Sequence, residues 1–509
     1  MKYLLRCLFW ALVAWAVLHY TGYAQDVTVN CGAGKPVATV QADGSIKITC
    51  KTETPPPVQP PPITPPITPP IVPPVITGKT WQATPANLQE LIGSGSSVKP
   101  GDTIELQPGE YIPPSWGPYN AFRAQLSGID GGRITIKGKP GAFLSCGKSL
   151  YGCLYLEGDY LTLSGVEITN TDPDRTKPRG NGIEVRGNFL TIEDCYIHAV
   201  STGVFASEGA KWLKIINNRV IDNGYKASDD QPHGNGLYIQ NDGLSVKEIR
   251  GNVVGNSYGN GIQLFGRNAE TRGYVVEDNI VFGSGSPSNW PNRNFIVGGS
   301  KKGSDGLIVR NNFFYHDLAF AGANVFFGYE KGNGSARISG NWIIGGTGAY
   351  IIDWSDLSFT ENVIIAQGRG LTYDSPDWGG TWKGNQYYFP DGGFASQGGL
   401  PVRTWTWAQW KANTDEQGSV FNEKPTGVQW VKYPRGMAIY STGEGFKGFN
   451  GSTPVQLPGF SHPNSVLYFP MGEYFDLTPW IPAGKQAVDA VTGAAVTSCR
   501  GFCAVVFSK

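Results

Sequence analysis

The sequence predicts an all-β solenoid of parallel coils, and three observations predict it. First, a short phrase recurs: Asn235-Gly236-Leu237-Tyr238-Ile239-Gln240 returns as Asn260-Gly261-Ile262-Gln263-Leu264-Phe265. Each copy alternates apolar and polar residues after a glycine, as a half-buried strand does. Second, the pattern apolar-x-x-Asn-x-apolar sets asparagines at 218, 252, 279, 312, 341, 362 and 385, with gaps of 34, 27, 33, 29, 21 and 23 residues. The shortest gap fits one circuit of three short strands plus turns, and the longer ones send the excess out as loops. Third, 69 Gly, 15 Trp, 23 Tyr and 24 Phe stand against 3 Met and 16% charged residues. That mixture suits a turn-rich β protein, and a solenoid can grow to 509 residues without the size limit of a single core.

The repeat has a physical reading. Asparagines buried at one turn of every coil can stack amide on amide, each satisfying its neighbour's donor and acceptor. Cys195 and Val166 hold the same place in earlier coils. The glycine phrase returns at Gly182–Val185, Gly203–Phe205, Asn324–Phe327, Ala349–Ile352 and Gly370–Tyr373.

Taken in order, residues 1–24 read as a signal peptide. Lys2 and Arg6 precede an apolar run from Cys7 to Leu18, and Thr21 to Ala24 offers a cleavage site. The rival, an uncleaved anchor, has a run short for a bilayer. The protein is therefore expected to be exported, with no membrane span once the signal is removed.

Residues 25–53 form a small module, a hairpin turning at Asp43-Gly44 and closed by Cys31–Cys50. Residues 54–78 are a proline-rich linker, a stiff polyproline II spacer from Pro55 to Pro74. The solenoid occupies 79–420, opened by a short helix over Ala86–Ile92, and a small C-terminal β-domain occupies 421–509. The remaining cysteines suggest local disulfides Cys146–Cys153 and Cys499–Cys503, as export favours. Cys195 is left as a buried, inert thiol. Lys plus Arg equals Asp plus Glu at 41 each, so charge gives no case for nucleic acid as a partner.

Chemistry is expected where side chains alternate outward. If Leu237 and Ile239 point in, an outer ladder reads Glu184, Phe205, Tyr238, Gln263, flanked by Arg186, Ser207, Gln240 and Phe265. A third row is Asn181, Thr202, Asn235 and Asn260. Aromatic faces interleaved with amides suit sugar rings, and a decorated solvent face is the plain alternative. Two loops reach the same face, Tyr225–His233 and Ser284–Asn294.

The catalytic candidates are His233, Asp229, Asp230, Tyr238 and Glu184. The substrate-binding candidates are Asn235, Gln240, Gln263, Phe205, Phe265, Arg267, Trp290 and Arg293. Asp229 and Asp230 offer a carboxylate pair, a Ca²⁺ ligand or a partner for His233. Hydrolysis needs an acid and a base, about 5 Å apart for retention and wider for inversion. A lyase needs a base such as His233 with Tyr238, and an arginine, Arg267 or Arg293, on the uronate carboxylate. His316 reads as a surface histidine. No cysteine has zinc-ligand spacing, and no cofactor is expected to be required.

The residues also carry a resemblance. Pro100-Gly101-Asp102-Thr103-Ile104-Glu105-Leu106 and Pro108-Gly109-Glu110-Tyr111, behind a helix, resemble the entry to right-handed parallel β-helix proteins of the pectin-lyase-like superfamily. Trp407-x-x-Trp410 followed by Asp415 to Val420 resembles the segment behind their last coil. The segment from His233 to Gly266 resembles one in a secreted, largely uncharacterised subgroup, through His233, Tyr238, Gln240, Asn241, Gly261 and Gln263. The resemblance implies a right-handed parallel β-helix over roughly 80–420, in a superfamily of polysaccharide lyases, hydrolases, epimerases and phage depolymerases. Neither the paired-aspartate signature of polygalacturonases nor the Lys/Arg pattern of chondroitinase-B-like lyases is found, so no catalytic residue transfers. The expectation is a monomer that binds and cleaves a polysaccharide. The alternatives are a non-catalytic adhesin or matrix protein, and an epimerase.

Overall fold

The computed structural model describes residues 78–422 except 115–120, 148–149, 228, 230, 267–270, 289, 300–301, 317–320, 331, 367–368, 375–378, 390–392 and 398–402. Outside that span it describes the strands 35–40 and 46–51, and 429–433, 436–440, 465–468, 474–476, 486–489, 494–500 and 503–508. The signal segment, the proline-rich linker, Cys31, Asp230 and Arg267 lie outside the described residues, as do the side chains of Cys50, Cys499 and Cys503.

Three long sheets of 13, 12 and 12 strands wind around one core as a right-handed parallel β-helix. The first sheet runs from Thr80–Ala83 to Asp415–Gln417, the second from Gly109–Tyr111 to Val420–Phe421, and the third from Phe122–Ala124 to Ala395–Gln397. A last strand, Arg403–Trp405, adds to the third sheet in antiparallel sense. Every coil passes from the first sheet to the second through a tight turn and reaches the third through a longer connection. Inward residues such as Ile249, Val254 and Ile262 are fully buried.

The tight turn explains the asparagines. Its first residue is in the left-handed region at Asn217, Gly251, Asp278, Asn311 and Gly340, residue types that tolerate that conformation best. The next residue is the ladder asparagine. The N–H and Nδ2 of Asn218 donate to Asn252 Oδ1 at 2.9 and 3.0 Å, and those of Asn252 to Asn279 Oδ1 at 2.9 and 2.9 Å. The chain of bonds continues through Asn312, Asn341, Asn362 and Asn385, all fully buried. Cys195 opens it, its N–H donating to Asn218 Oδ1, and Ser419 closes it. Burial pushes the Cys195 thiol up to about 12, as an inert thiol should be.

Both ends of the core are capped. At the start, helix Leu88–Ile92 buries Leu88 and Ile92. At the finish, helix Trp407–Asn413 begins with a capping box between Thr406 and Gln409. It sets Trp410 edge-on to Trp382, ring centroids 5.0 Å apart, with the indole N–H on Glu416 at 2.8 Å.

In the N-terminal unit, Lys35–Val40 pairs antiparallel with Ile46–Lys51, the hairpin expected there. Beyond the solenoid, Gln429–Tyr433, Gly436–Tyr440, Ser465–Tyr468, Cys503–Ser508 and Gln486–Asp489 form a five-stranded antiparallel sheet. Among the described residues no helix is long and apolar enough to cross a membrane.

Candidate functional site

The outer face of the third sheet is built by register. Tyr155 pairs with Glu184, Glu184 with Phe205, Phe205 with Tyr238, and Tyr238 with Gln263. The row continues through Ile296, Phe326 and Tyr350. Neighbouring members stand one coil apart, about 4.8 Å. The expected ladder of Glu184, Phe205, Tyr238 and Gln263 is thus in line. Arg123 and Tyr155, which extend it toward the N-terminal end, were missed. Gly152-Cys153-Leu154-Tyr155 carries the same glycine phrase one coil earlier, and that was the available signal.

Glu184 is the unusual member. It is only 7% exposed, and Asn181 Nδ2 donates to its Oε1 at 2.6 Å. Burial raises its carboxyl above the ordinary range, against the pull of that hydrogen bond and of Arg186. Gly152 makes the room: a Cβ there would stand 3.1 Å from the Tyr155 ring and 3.2 Å from Glu184 Cγ. Phe205 meets Tyr238 edge to face at 5.4 Å, and Tyr238 is half-buried and hydrogen-bonded to the Gln240 side chain. Gln263 is held by Asn260 Nδ2 at 2.7 Å.

Farther along, Phe265 packs edge-on against Tyr329 at 5.5 Å. Arg293 lays its guanidinium over Phe326 at 5.1 Å, and burial lowers its pKa. This places it on an outer apolar cluster of Ile296, Phe326 and Ile352. Trp290, 38% exposed, rides on the Ser284–Asn294 loop.

The Tyr225–His233 loop is a two-stranded antiparallel hairpin at the turn between the second and third sheets. The His233 ring stacks on Tyr225 at 4.8 Å, and its Nε2 lies 2.9 Å from Asp229 Oδ2. Asp229 also accepts the Gln231 N–H at 3.0 Å, and these bonds lower its pKa. Lys226 N–H donates to Arg175 O at 3.0 Å, tying the hairpin to the corresponding loop two coils earlier. The structure therefore joins His233 with Asp229, and Glu184 with Tyr155 and Phe205, as two separate groups. Among the described residues no group of three or more His, Cys, Asp or Glu stands together to hold a metal ion.

Two expectations, the Cys146–Cys153 disulfide and a surface His316, are corrected by the structure. Asn235 belongs to a structural ladder: its N–H donates to Thr202 Oγ1 at 3.3 Å, and its Oδ1 accepts the Asn260 N–H at 2.8 Å. Backbone N–H groups at this tight corner need an acceptor, and Asn181, Thr202, Asn235 and Asn260 supply it coil by coil. Cys146 and Cys153 are free, buried thiols hydrogen-bonded to one another, the latter pushed well up by burial. Enclosed in the core, they pack as small apolar groups. Alkylation of the unfolded chain without reductant, read by intact mass, is expected to label Cys146, Cys153 and Cys195. His316, expected on the surface, is fully buried, and the Asn292 and Ser284 backbone of the 284–294 loop lies beside its ring.

A second cavity, of about 520 Å³, lies off the row beside Tyr196, His198, Arg175 and Tyr258. Its His198 is held between Glu167 Oε1 at 2.9 Å and Thr169 Oγ1 at 3.3 Å, and stacks on Tyr196.

The family model described as "Right handed beta helix region" matches residues 143–314. Solved structures similar to this chain include the pectate lyase Pel9A, at 19% identity over 68% of this chain and 80% of that one, TM-score 0.39. A rhamnogalacturonan lyase is 14% identical over 70% of this chain and 91% of its own, TM-score 0.41. The catalytic unit of a GH87 α-1,3-glucanase from Streptomyces thermodiastaticus strain HF3-3 is 14% identical over 69% of each chain, TM-score 0.39. These likenesses concern the fold. No curated protein matches the chain.

Proposed function

We propose that the outer face of the third sheet binds a polysaccharide along the solenoid and cleaves it, with Glu184 as the acid. One observation carries the reading: a straight row of aromatic and amide side chains at coil spacing contains a single carboxyl, Glu184, whose pKa burial raises. Sugar rings offer apolar C–H faces to Phe205 and Tyr238, and hydroxyl rims to Gln240 and Gln263. A carboxyl that holds its proton above the ordinary carboxylate range can donate it to a departing glycosidic oxygen, and the carboxylate then takes up the proton of the water that adds to the anomeric carbon. Arg186, just past the end of the strand that carries Glu184, lies where it can offset the carboxylate left behind.

The chemistry calls on water and protein groups alone, so EDTA is expected to leave the rate unchanged. If Ca²⁺ took part, Asp229 is the group placed to bind it. We further read the chain as exported, from its N-terminal Lys2, Arg6 and apolar run, and as a monomer.

His233 supports a second reading. Its ring is oriented by Asp229 and stacked on Tyr225, as a general base would be, and Tyr238 and Arg293 could then serve β-elimination or epimerisation of a uronate.

The test is a polysaccharide screen with the purified protein, following new reducing ends and absorbance in the unsaturated-uronate band. Reducing ends without absorbance are expected, and both together identify a lyase. Glu184→Gln is expected to lower kcat by roughly 100-fold or more with binding retained. The wild-type rate should fall on the alkaline side of the raised Glu184 pKa, because the acid must carry its proton. Loss of activity in His233→Ala with Glu184→Gln unaffected would move the chemistry to the hairpin. Binding without product from any glycan would leave an adhesin.

A further inference from the structure

We infer that the sugar-binding row is closed at its N-terminal end, and that the closed end receives the terminus of a polysaccharide chain. This rests on the reading that the Glu184 face cleaves polysaccharide. The third sheet begins at Phe122–Ala124, and among the described residues no further strand follows on that edge. A side-chain amide takes the strand's place: Gln89 Nε2 donates to Arg123 O at 3.1 Å, and Arg123 N–H donates to Gln89 Oε1 at 3.0 Å. Gln125 N–H donates to Ile92 O at 2.8 Å, so the cap helix is bonded to the sheet edge at two points. The helix and the turn after it stand as a wall across the end of the row.

Between wall and row lies a cavity of about 740 Å³, lined by Gln89, Glu90 and Gly95 of the cap and by Arg123, Tyr155 and Arg186 of the sheet. That volume is in the range of roughly 300–1,000 Å³ usual for ligand sites. Its sheet wall is fixed and polar. Arg186 lies over the Tyr155 ring at 4.7 Å and Arg123 at 5.9 Å. Glu157 holds Arg123 at 2.5 Å and lies 3.8 Å from Arg186. Because Glu157 and the lining Glu90 match the two cations charge for charge, the wall offers hydroxyl-directed hydrogen bonds without calling for an anion. The ligand class is therefore the uncharged terminal segment of a glycan. Glu184 stands one coil beyond Tyr155 and two beyond Arg123, about 10 Å from Arg123 by coil spacing, and the wall lies about one spacing farther. A chain end fits between them, whereas a chain running past does not.

Gly95 provides the test. A Cβ at this position would meet nothing within 4 Å, so Gly95→Trp fills the cavity without displacing the cap. Ser94→Trp, also exposed on the cavity lip, is the second variant. On the polysaccharide from which the wild type releases most reducing ends, one short product of fixed size should form from the first time point, with little fall in viscosity. Both variants should lose tenfold or more in kcat/KM at an unchanged melting temperature. A spread of product sizes with an early fall in viscosity overturns the closed end. So does fixed-size release that both variants retain within twofold. If the wild type cleaves no polysaccharide, the cleavage reading falls and this inference falls with it.

Discussion

Asn279→Leu is expected to destabilise the protein by roughly 3–5 kcal/mol, a large effect for one surface-neutral, nearly isosteric change. Asn279 sits in the middle of the ladder with no exposure. Its Oδ1 is the acceptor for the Asn252 N–H and shares the Asn252 Nδ2. Its own Nδ2 donates to Ile249 O and to Asn312 Oδ1, each at 2.9 Å. Leucine fills similar space but offers neither function, and leaves the Asn252 N–H buried without an acceptor. Orphaning a buried polar group costs about 1–3 kcal/mol, and the neighbouring amides lose a partner as well. Asn279→Asp should be no milder, because a carboxylate would face the Oδ1 of Asn312 with no proton to give. Guanidinium unfolding followed by circular dichroism measures both. A loss under 1 kcal/mol for Asn279→Leu would show that the ladder decorates the turn without holding it.

The second large effect is acid instability traced to His316. Burial pushes this imidazole down to about 3 from an ordinary 6.5. Below pH 6.5 the unfolded chain takes up a proton that the folded chain cannot accept. The stability contributed by the neutral ring is complete above 6.5 and is lost as pH falls from 6.5 toward 3. The slope approaches 1.4 kcal/mol per pH unit, and the loss is on the order of 4 kcal/mol by pH 3.5. His316→Gln removes the titration while keeping a polar side chain of similar reach beside the Asn292 and Ser284 backbone. The wild type minus the variant should then trace this pH dependence alone, with carboxylate contributions cancelling. A difference that stays flat between pH 7 and 4 would mean that the ring is protonated in the folded state. The same variant reports on the site, because the loop beside the ring carries Trp290 and Arg293.

Glu184 and His316 mark the limit of reading by pattern. Both were visible as residues, but their ionisation was not. Glu184 was expected as an outward catalytic candidate. Its row position was right, yet the absence of a side chain at Gly152 and the closeness of Tyr155 let it sink into the face. His316 was expected at the surface, and the 284–294 loop covers it. Asn235 shows the converse: its spacing suggested sugar contact, and the structure adds a bond from the corner backbone to its amide oxygen.

By itself the sequence determined the parallel coils, their three strands, the asparagine ladder and the outward row from Glu184 to Gln263. These follow from periodic alternation and from the left-handed residue before each asparagine, features each coil settles with its immediate neighbours. Only the tertiary structure decided which outward groups are dry, which loop lies over which corner, that Cys146 and Cys153 remain thiols, and that the cap closes one end of the row. The physical reason is that burial depends on where unequal loops fold back and on what stands one coil away. Sequence separation across that distance ranges from 21 to 34 residues and carries no periodic signal.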